Sequence, residues 1–310
     1  MTSPFMTRAA AVTLSMALAA CGGGTPTTES EPAAPAQAAP AGLTAGWTAT
    51  EGIATPESVF YDAASGAIFA SQIDGAPDGR DGNGRIARLN ADGSVANANF
   101  VTGLNAPKGL RVCDGTLWTA DIDEVIAIDA ATGAIQNRTR IDGAMFLNDV
   151  ACAGATAYVT DMMANKIYSV TNGAATVAAE GDLSFPNGLL VDGNTLIVGS
   201  WGSQPRADFT TEVPGHIYRY DLQTKQKTNV TQQPLGNIDG LESDGRGGFI
   251  ATDYVAGKLY HVGADGAVKE LRQFMPGAAD IGYDATSRIV LVPHMNENQV
   301  AAYDISADLP

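Results

Sequence analysis

The feature that most constrains this chain is a short motif that recurs six times. Each copy places a polar residue, called here the anchor, directly after a proline or an apolar residue. The six anchors are Glu57, Lys108, Asn148, Asn187, Asp239 and Asp280. They lie about 40 to 50 residues apart, a period that is typical of folds built from several similar sheets around one axis. The repeat therefore predicts six copies of one structural unit.

Each anchor begins the same series of predicted strands. A first strand such as Asn187–Val191 is followed by a tight turn and a second strand such as Thr195–Ser200. A loop leads to a third strand such as His216–Tyr220, and a further turn leads to a fourth. These segments are rich in Ile, Val, Tyr and Thr, as half-buried strands are. The sequence thus predicts an all-β fold, a six-bladed β-propeller with four-stranded antiparallel blades.

The sixth repeat has no fourth strand of its own after its third strand, Gln299–Tyr303. Residues Gly46–Ile53 precede the first anchor in the same way that a fourth strand precedes every other anchor. We predict that Gly46–Ile53 completes the sixth blade. This N-terminal strand would close the ring and remove the free sheet edges between the first and last blades.

Residues 1–21 have the features of a targeting segment, with Arg8 followed by an apolar stretch. This stretch ends at Cys21, and the local sequence Leu-Ala-Ala-Cys resembles a bacterial lipobox. The resemblance implies a lipoprotein signal peptide and lipidation of Cys21. Because Gly22 rather than aspartate follows, it also implies an outer-membrane location in the cell envelope, facing the periplasm. We expect contact with the membrane only through this lipid anchor.

Composition divides the rest of the chain into two parts. Residues 22–42 are dominated by Thr, Pro, Ala and Glu without periodicity, and they predict a disordered tether. Residues 43–310 form the predicted propeller. The net charge of −16 argues against a nucleic-acid partner, because an acidic surface repels phosphates. Cys113 and Cys152 are either a disulfide of the oxidising envelope or two small buried apolar residues.

The anchors are the candidate functional residues. In a propeller, each blade begins its innermost strand at the same mouth of the central channel, so the anchors converge on the axis. Most of them are oxygen donors, and hard oxygen ligands in an open ring suit Ca²⁺. The alternative is that the anchors only cap strands and bind backbone groups, as Asn-Gly and Asp-Gly pairs do in ordinary turns.

Four segments carry a resemblance to a known family: Pro56-Glu57-Ser58, Leu147-Asn148-Asp149, Phe185-Pro186-Asn187-Gly188-Leu189 and Ile238-Asp239-Gly240-Leu241. In this order and spacing the chain resembles the senescence-marker-protein/gluconolactonase family of six-bladed propellers, which are calcium- or zinc-dependent lactonases and esterases. The resemblance implies a divalent metal, Ca²⁺ or alternatively Zn²⁺. Its ligands would be Glu57, Asn187 and Asp239, with Asn148 contacting substrate or metal. Asp239 would also act as, or orient, the general base.

The implied reaction is hydrolysis of a small-molecule lactone or related ester, with the metal polarising the carbonyl. The chain departs from the family at Phe146, where sugar-lactone hydrolases tend to have arginine. The substrate is then less polar than an aldonolactone, or Lys108 supplies the missing charge. His294, in a predicted mouth loop, is a candidate proton shuttle or else a structural residue. Trp201 opens a long loop that would form a wall of the pocket or pack at its rim.

Two other functions compete with a hydrolase. A non-catalytic propeller could bind a ligand or a protein at the envelope and use its metal only for structure, since one fold hosts both functions. Phe146 and Lys108 favour that alternative, because they break the enzyme pattern. A quinone-dependent sugar dehydrogenase shares the fold but ranks last, since the sequence has no cationic, histidine-rich pocket for that cofactor.

Overall fold

The computed structural model describes residues 42–206 and 208–309. These residues form six four-stranded antiparallel sheets and one two-stranded hairpin. The predicted signal peptide, Cys21 and the predicted tether up to residue 41 lie outside the described residues. No helix in the described part of the chain is long and apolar enough to cross a bilayer. The predicted six-bladed, all-β architecture is confirmed.

Every blade has an inner, a second, a third and an outer strand. The inner strands are Pro56–Asp62, Pro107–Cys113, Leu147–Ala153, Pro186–Asp192, Ile238–Ser243 and Gly282–Asp284. The second strands are Ala67–Gln72, Thr116–Asp121, Thr156–Asp161, Thr195–Ser200, Phe249–Asp253 and Ile289–His294. The third strands are Gly84–Leu89, Glu124–Asp129, Lys166–Thr171, Ile217–Asp221, Lys258–Val262 and Gln299–Asp304. The outer strands are Val95–Leu104, Ile135–Arg140, Ala174–Glu180, Lys227–Asn229, Val268–Gln273 and, in the sixth blade, Thr48–Ala49.

Two shorter elements interrupt this pattern on the loops between second and third strands. Blade 4 inserts a hairpin, Gly202–Pro205 paired with Thr211–Pro214. Blade 6 carries a single 3₁₀ turn, Met295–Glu297. Both insertions begin within two residues of the end of a second strand, so they lie at the end of the blade where the anchors begin.

The inner strands contact one another in a closed ring, blade 1 against blade 2 and so on to blade 6 against blade 1. The N-terminal strand closes this ring as predicted. Thr48 pairs with Ala301 and Ala49 with Val300, which makes Thr48–Ala49 the outer strand of blade 6. The last blade is therefore built from both ends of the described chain, and no free strand edge separates it from blade 1.

The hydrophobic core is divided among the blade interfaces. Each of six clusters of buried side chains lies between two neighbouring blades. Between blades 1 and 2, for example, Phe69 and Ile86 pack with Leu110 and Ile126. Alternate residues along a strand point to opposite faces of its sheet, so each blade supplies side chains to two interfaces. This arrangement leaves the inner-strand starts to define the mouth of the channel.

Cys113 and Cys152 form a disulfide bond, which decides between the two alternatives left by the sequence. Their Cα atoms are 6.1 Å apart. Cys113 ends the inner strand of blade 2, and Cys152 lies near the end of the inner strand of blade 3. The bond therefore links two neighbouring inner strands at the end of the channel away from the anchors.

Candidate functional site

A recurrent irregularity at the start of each inner strand positions the anchors. In five blades, the residue before the anchor pairs with the last residue of the second strand, as Pro107 does with Asp121. The register then shifts across the anchor before regular pairing resumes. Such bulges redirect a side chain away from the regular alternation. The anchor side chains are thereby released from the ladder and turned into the channel.

Blade 6 departs from the predicted alignment by one residue. There, Ala278 forms the bridge to the last residue of the second strand, His294. Ala279 therefore occupies the anchor position, and Asp280 occupies the next position. A shift of one residue moves a side chain to the other face. The expectation that Asp280 joins the mouth is wrong: its carboxylate accepts a hydrogen bond from Ser58 Oγ at 2.5 Å, below the anchors.

The five remaining anchors line one cavity of about 270 Å³. They are Glu57, Lys108, Asn148, Asn187 and Asp239, and none exposes more than 6% of its surface. The residue after an anchor is often glycine because neighbouring inner strands approach closely. A Cβ at Gly188 would lie 2.4 Å from the carbonyl oxygen of Asp239. The sequence pattern Asn-Gly thus reflects contact between blades rather than a turn.

Sequence reasoning missed most of the apolar wall of this cavity. The wall residues that directly follow second strands are Ile73, Met162, Trp201, Tyr254 and Met295. Phe146, Phe209, Pro77 and Val255 complete it, and Asp208 adds a carboxylate beside Phe209. The position of the first five in the repeat could have identified them, since the residue directly after the second strand faces the axis in five of the six blades. Individually these residues look like ordinary core or loop side chains.

Trp201 is held at the wall by the loop that follows it. Its indole Nε1 donates to the carbonyl oxygen of Phe209 at 2.7 Å, and its ring lies 5.7 Å from that of Tyr254. Asn237 donates to the carbonyl oxygen of Trp201 at 2.7 Å and to Thr211 Oγ1 at 2.9 Å. The blade 4 hairpin is therefore tied to the mouth, and the prediction that this loop forms a pocket wall agrees with the geometry.

The carboxylates on the floor share an environment that disfavours two negative charges. Burial raises the pKa of Asp239 to about 8, with a further contribution from the charge of Asp280, while the hydrogen bond from Asn187 opposes the shift. Burial and then the charge of Asp239 raise the pKa of Glu57 well above its usual value, and the Lys108 ammonium opposes this shift. A cation between the two carboxylates would remove this repulsion.

Two buried oxygen atoms on this floor, Glu57 Oε2 and Asn187 Oδ1, have no hydrogen-bond partner among the residues that the structure describes. The Nδ2 atom of Asn187 donates to Asp239 Oδ1 at 2.9 Å, so its amide oxygen is left for another group. Orphaned buried oxygens are costly unless an ion or water satisfies them. Carboxylate and amide oxygens form the donor set that a hard divalent cation prefers. These residues therefore fit a cation such as Ca²⁺.

Within residues 42–206 and 208–309, no three His, Cys, Asp or Glu side chains are grouped as a metal site. The candidate set differs in kind from such a group. It contains two carboxylates, from Glu57 and Asp239, and two amides, from Asn148 and Asn187. Half of its donors are therefore asparagines, which a group of His, Cys, Asp and Glu does not include. The unpartnered oxygens of Glu57 and Asn187 are better evidence about a cation site than the absence of such a group, because they are the atoms that need a partner.

Lys108 is fully buried at the edge of the floor. Its ammonium donates to the carbonyl oxygens of Pro77 and Ala106, both at 2.9 Å, and lies 4.7 Å from the centre of the Phe146 ring. Burial lowers the pKa of Lys108, and the charge of Glu57 opposes that shift. The lysine thus places a positive charge beside the cavity, and Phe146 covers it from the blade 3 side.

His294 does not line the cavity. Its Nε2 atom lies 2.9 Å from the hydroxyl of Tyr303, and its ring packs edge-on against Phe274. It occupies the last position of a second strand, where three of the other blades have an aspartate that caps the chain before the anchor. Asp161, for example, accepts hydrogen bonds from the backbone N–H groups of Met145 and Phe146. The position of His294 therefore corresponds to a structural site in the repeat.

Below the floor, the channel is filled by a charged layer, defined as Arg111, Asp149, Glu242 and Asp280. Arg111 pairs with Glu242 at 2.6 Å and stacks over the Phe60 ring at 5.0 Å. Asp149 accepts hydrogen bonds from the backbone N–H groups of Val150 and Leu189, each at 2.6 Å. Burial raises the pKa of Asp149 to about 7, and the charge of Arg111 opposes that shift. This layer separates the cavity from the opposite end of the channel.

Comparison with solved structures agrees with the architecture. The chain is similar to a chain of a nidogen–laminin complex, with a TM-score of 0.61 and 16% identity, covering 74% of this chain and 89% of that one. It is also similar to virginiamycin B lyase from Staphylococcus aureus, in a catalytically inactive form with quinupristin, with a TM-score of 0.56 and 13% identity over 83% and 97% of the two chains.

A streptogramin B lyase gives a TM-score of 0.54 and 12% identity over 81% of this chain and 93% of that one. No family model matches the chain, and no curated protein matches it in sequence. At these identities the structural likeness establishes the propeller fold alone. The function must therefore be argued from the cavity.

Proposed function

We propose that this protein is a metal-dependent hydrolase of a lactone or related ester, as its resemblance to the gluconolactonase-like propellers implies. The observation that carries the proposal is the pair of partnerless buried oxygens, Glu57 Oε2 and Asn187 Oδ1, on the floor of a cavity shared with Asp239. Glu57, Asn187 and Asp239 would hold the cation, with Asn148 beside them. When bound, a divalent cation supplies Lewis-acid polarisation of the substrate carbonyl.

The chain's own residues would perform the remaining steps. Asn187 fixes the Asp239 carboxylate through its hydrogen bond, so that the carboxylate can accept a proton from the attacking water. The water oxygen bonds to the carbonyl carbon, the ring C–O bond breaks, and the proton passes from Asp239 to the departing alkoxide. Lys108 adds positive charge near the developing oxyanion. The apolar wall excludes bulk water and strengthens both interactions.

The direct test is hydrolysis of a panel of lactones and aryl esters, with and without added Ca²⁺ or Zn²⁺. Asp239→Asn should reduce kcat by about 10²- to 10⁴-fold, the usual contribution of a general base. Asp142→Asn removes the same charge from a fully exposed side chain and should leave turnover unchanged. Metal-independent turnover, or full activity of Asp239→Asn, would contradict the proposal.

A binding propeller with a structural cation is the second candidate. It is favoured by the engagement of Lys108 with two backbone carbonyls and by the burial of His294 behind the cavity, since neither residue is then free to move a proton on the floor. Under this alternative, Ca²⁺ would raise the melting temperature and Asp239→Asn would abolish that rise, but the panel would show no turnover by either protein.

We also propose that the protein is anchored at the outer membrane through lipidated Cys21 and faces the periplasm. The support is the lipobox-like sequence before Cys21, in the part of the chain outside the described residues. Expression of the full chain in a bacterial host with labelled palmitate tests this directly. Label should enter the wild type and not Cys21→Ser, and the variant should leave the membrane fraction. Labelling of Cys21→Ser would contradict it.

A further inference from the structure

The mouth of the cavity is apolar on one side. On blade 3, Met145 precedes the wall residue Phe146, and Met163 follows the wall residue Met162. Met145 exposes 63% of its surface and Met163 38%. On blade 4, Phe209 lines the cavity and is also 44% exposed. We call Met145, Met163 and Phe209 the apolar rim.

The rim continues the inner wall outward and is apolar except for Asp208, which lines the cavity beside Phe209. Phe146 and Met162 lie inside the cavity directly next to the two rim methionines in sequence, and Trp201 is bonded to the carbonyl of Phe209. The other charged groups of the cavity and its amides lie on the floor. A ligand that enters this cavity therefore meets polar donors at one end and apolar side chains along blades 3 and 4.

The contrast between a polar floor and an apolar wall favours some substrates over others. A polyhydroxylated lactone would place hydroxyls against Phe146 and Met162, which offer no hydrogen-bonding group, and against Trp201, whose Nε1 already donates to Phe209. A buried hydroxyl without a partner is costly. An alkyl chain gains from the same surface, because burial of each methylene is favourable. Met side chains adapt their shape to flexible apolar ligands better than branched residues do.

We propose that the site takes lactones or esters with a linear apolar tail, which leaves the cavity between blades 3 and 4 along the apolar rim. The inference rests on the proposed hydrolase function for its reacting group, but the tail site stands on the wall and rim alone. The reacting carbonyl would lie over Glu57, Asn187 and Asp239, with the tail directed past Trp201 and Phe209.

Binding can be measured without turnover by using alkyl lactams, in which N–H replaces the ring oxygen and resists hydrolysis. Calorimetric titration of the Ca²⁺-loaded protein with lactams from ethyl to dodecyl should show an affinity that rises with tail length. The expected increase is up to about fourfold per methylene, which corresponds to ~0.8 kcal/mol per buried CH₂. The increase should end when the tail passes the rim.

Two variants and a matched control locate the tail. Phe209→Ser and Met145→Ser should flatten the dependence on tail length, so that the ratio of dodecyl to ethyl affinity falls by about tenfold or more, as expected for losing two or three buried methylenes. Val177→Ser is the control, because Val177 is 46% exposed but lies on the outer strand of blade 3. It should keep the wild-type ratio.

The outcomes separate this inference from the proposed function. Length-dependent lactam binding together with no lactone hydrolysis would support the tail site and reject the hydrolase. Lactone hydrolysis together with a lactam affinity that does not depend on tail length would support the hydrolase and reject the tail site. Absence of lactam binding would also overturn the tail site. If Phe209→Ser loses adsorption to phosphatidylethanolamine–phosphatidylglycerol vesicles but keeps the wild-type length profile, the rim is a membrane contact and the inference is wrong.

Discussion

The amide nitrogen of Asn187 donates a hydrogen bond to the carboxylate of Asp239 across the boundary between blades 4 and 5, over 2.9 Å. This bond orients both side chains, and it leaves the amide oxygen of Asn187 without a partner in the described part of the chain. Each residue lies in a backbone bulge at the start of its inner strand. The repeat therefore brings two oxygen donors from separate blades to one point on the channel axis.

Replacing Asn187 tests whether this point is a cation site. Asn187→Leu keeps the side-chain size but removes the orphaned oxygen and the bond that orients Asp239. We expect the Ca²⁺ affinity to fall by at least about 10- to 100-fold, the range for losing a supporting partner of a metal ligand. Isothermal titration calorimetry measures this change directly.

Asn194→Leu is the matched control, because Asn194 is an exposed amide in a turn of the same blade. It should bind Ca²⁺ as the wild type does. Saturating Ca²⁺, at 100 times its Kd, should stabilise the wild type by about 2.7 kcal/mol and raise its melting temperature by several degrees. Equal Ca²⁺ affinity in Asn187→Leu and wild type would place the ion elsewhere.

The Cys113–Cys152 bond should contribute strongly to stability. It closes a loop with a sequence separation of 39 residues. A cross-link of this length removes unfolded-state entropy worth about 4 kcal/mol in the loop-entropy model. We expect the Cys113→Ser/Cys152→Ser double variant to lose about 2–4 kcal/mol in urea unfolding. A reducing agent should destabilise the wild type by the same amount and leave the double variant unchanged; a wild type insensitive to reduction would contradict this.

The strand that closes the ring gives a third prediction. Leu43, Ala49 and Ile53 are buried against blades 6 and 1. A shortened chain that begins at residue 54 loses these contacts, and burial of a single Leu or Ile side chain is worth about 1.5–3 kcal/mol. We expect its unfolding free energy to fall by at least about 3 kcal/mol. A chain that begins at residue 42 is the control. Equal urea midpoints for the chains that begin at residues 42 and 54 would mean that the N-terminal strand is not needed for stability.

The fold and most of the floor could be predicted because the repeat supplies the same information several times. Five anchors share their position before a bulge, and the close approach of inner strands explains why glycine follows several of them. The sequence does not fix the register of blade 6 around Asp280. Its neighbours Ala279 and Ile281 are equally compatible with either register, and only the bridge between Ala278 and His294 resolves the shift.

The wall of the cavity could not be predicted with the same ease, for a different reason. Ile73, Met162, Trp201 and Tyr254 share a position after the second strand but no residue type, so the repeat does not mark them. His294 is a candidate proton shuttle in the sequence because it lies in a predicted loop at the mouth. The structure places it at a capping position behind the wall, against Tyr303. Position within the blade, rather than residue type, separates lining residues from structural ones.

The charged layer below the floor makes stability depend on pH. Glu242 is buried against Arg111, and it shares the layer with Asp149 and Asp280. Burial raises the pKa of Glu242 above its usual value, although Arg111 opposes the shift. The folded state therefore holds this proton more tightly than the unfolded state. Its stabilising contribution is full below the unfolded pKa of about 4.3 and is lost as the pH rises through the folded pKa.

We therefore expect the free energy of unfolding to fall as the pH rises from about 5 towards 8, measured by urea titration at several pH values. Glu242→Gln cannot ionise, so its unfolding free energy should fall less steeply over that window. Some dependence should remain, because burial also raises the pKa of Asp149 to about 7. Glu270→Gln, in an exposed pair with Lys258, should keep the wild-type slope. An identical slope in Glu242→Gln and wild type would mean that Glu242 is already ionised throughout this range, held by Arg111 against the effect of burial.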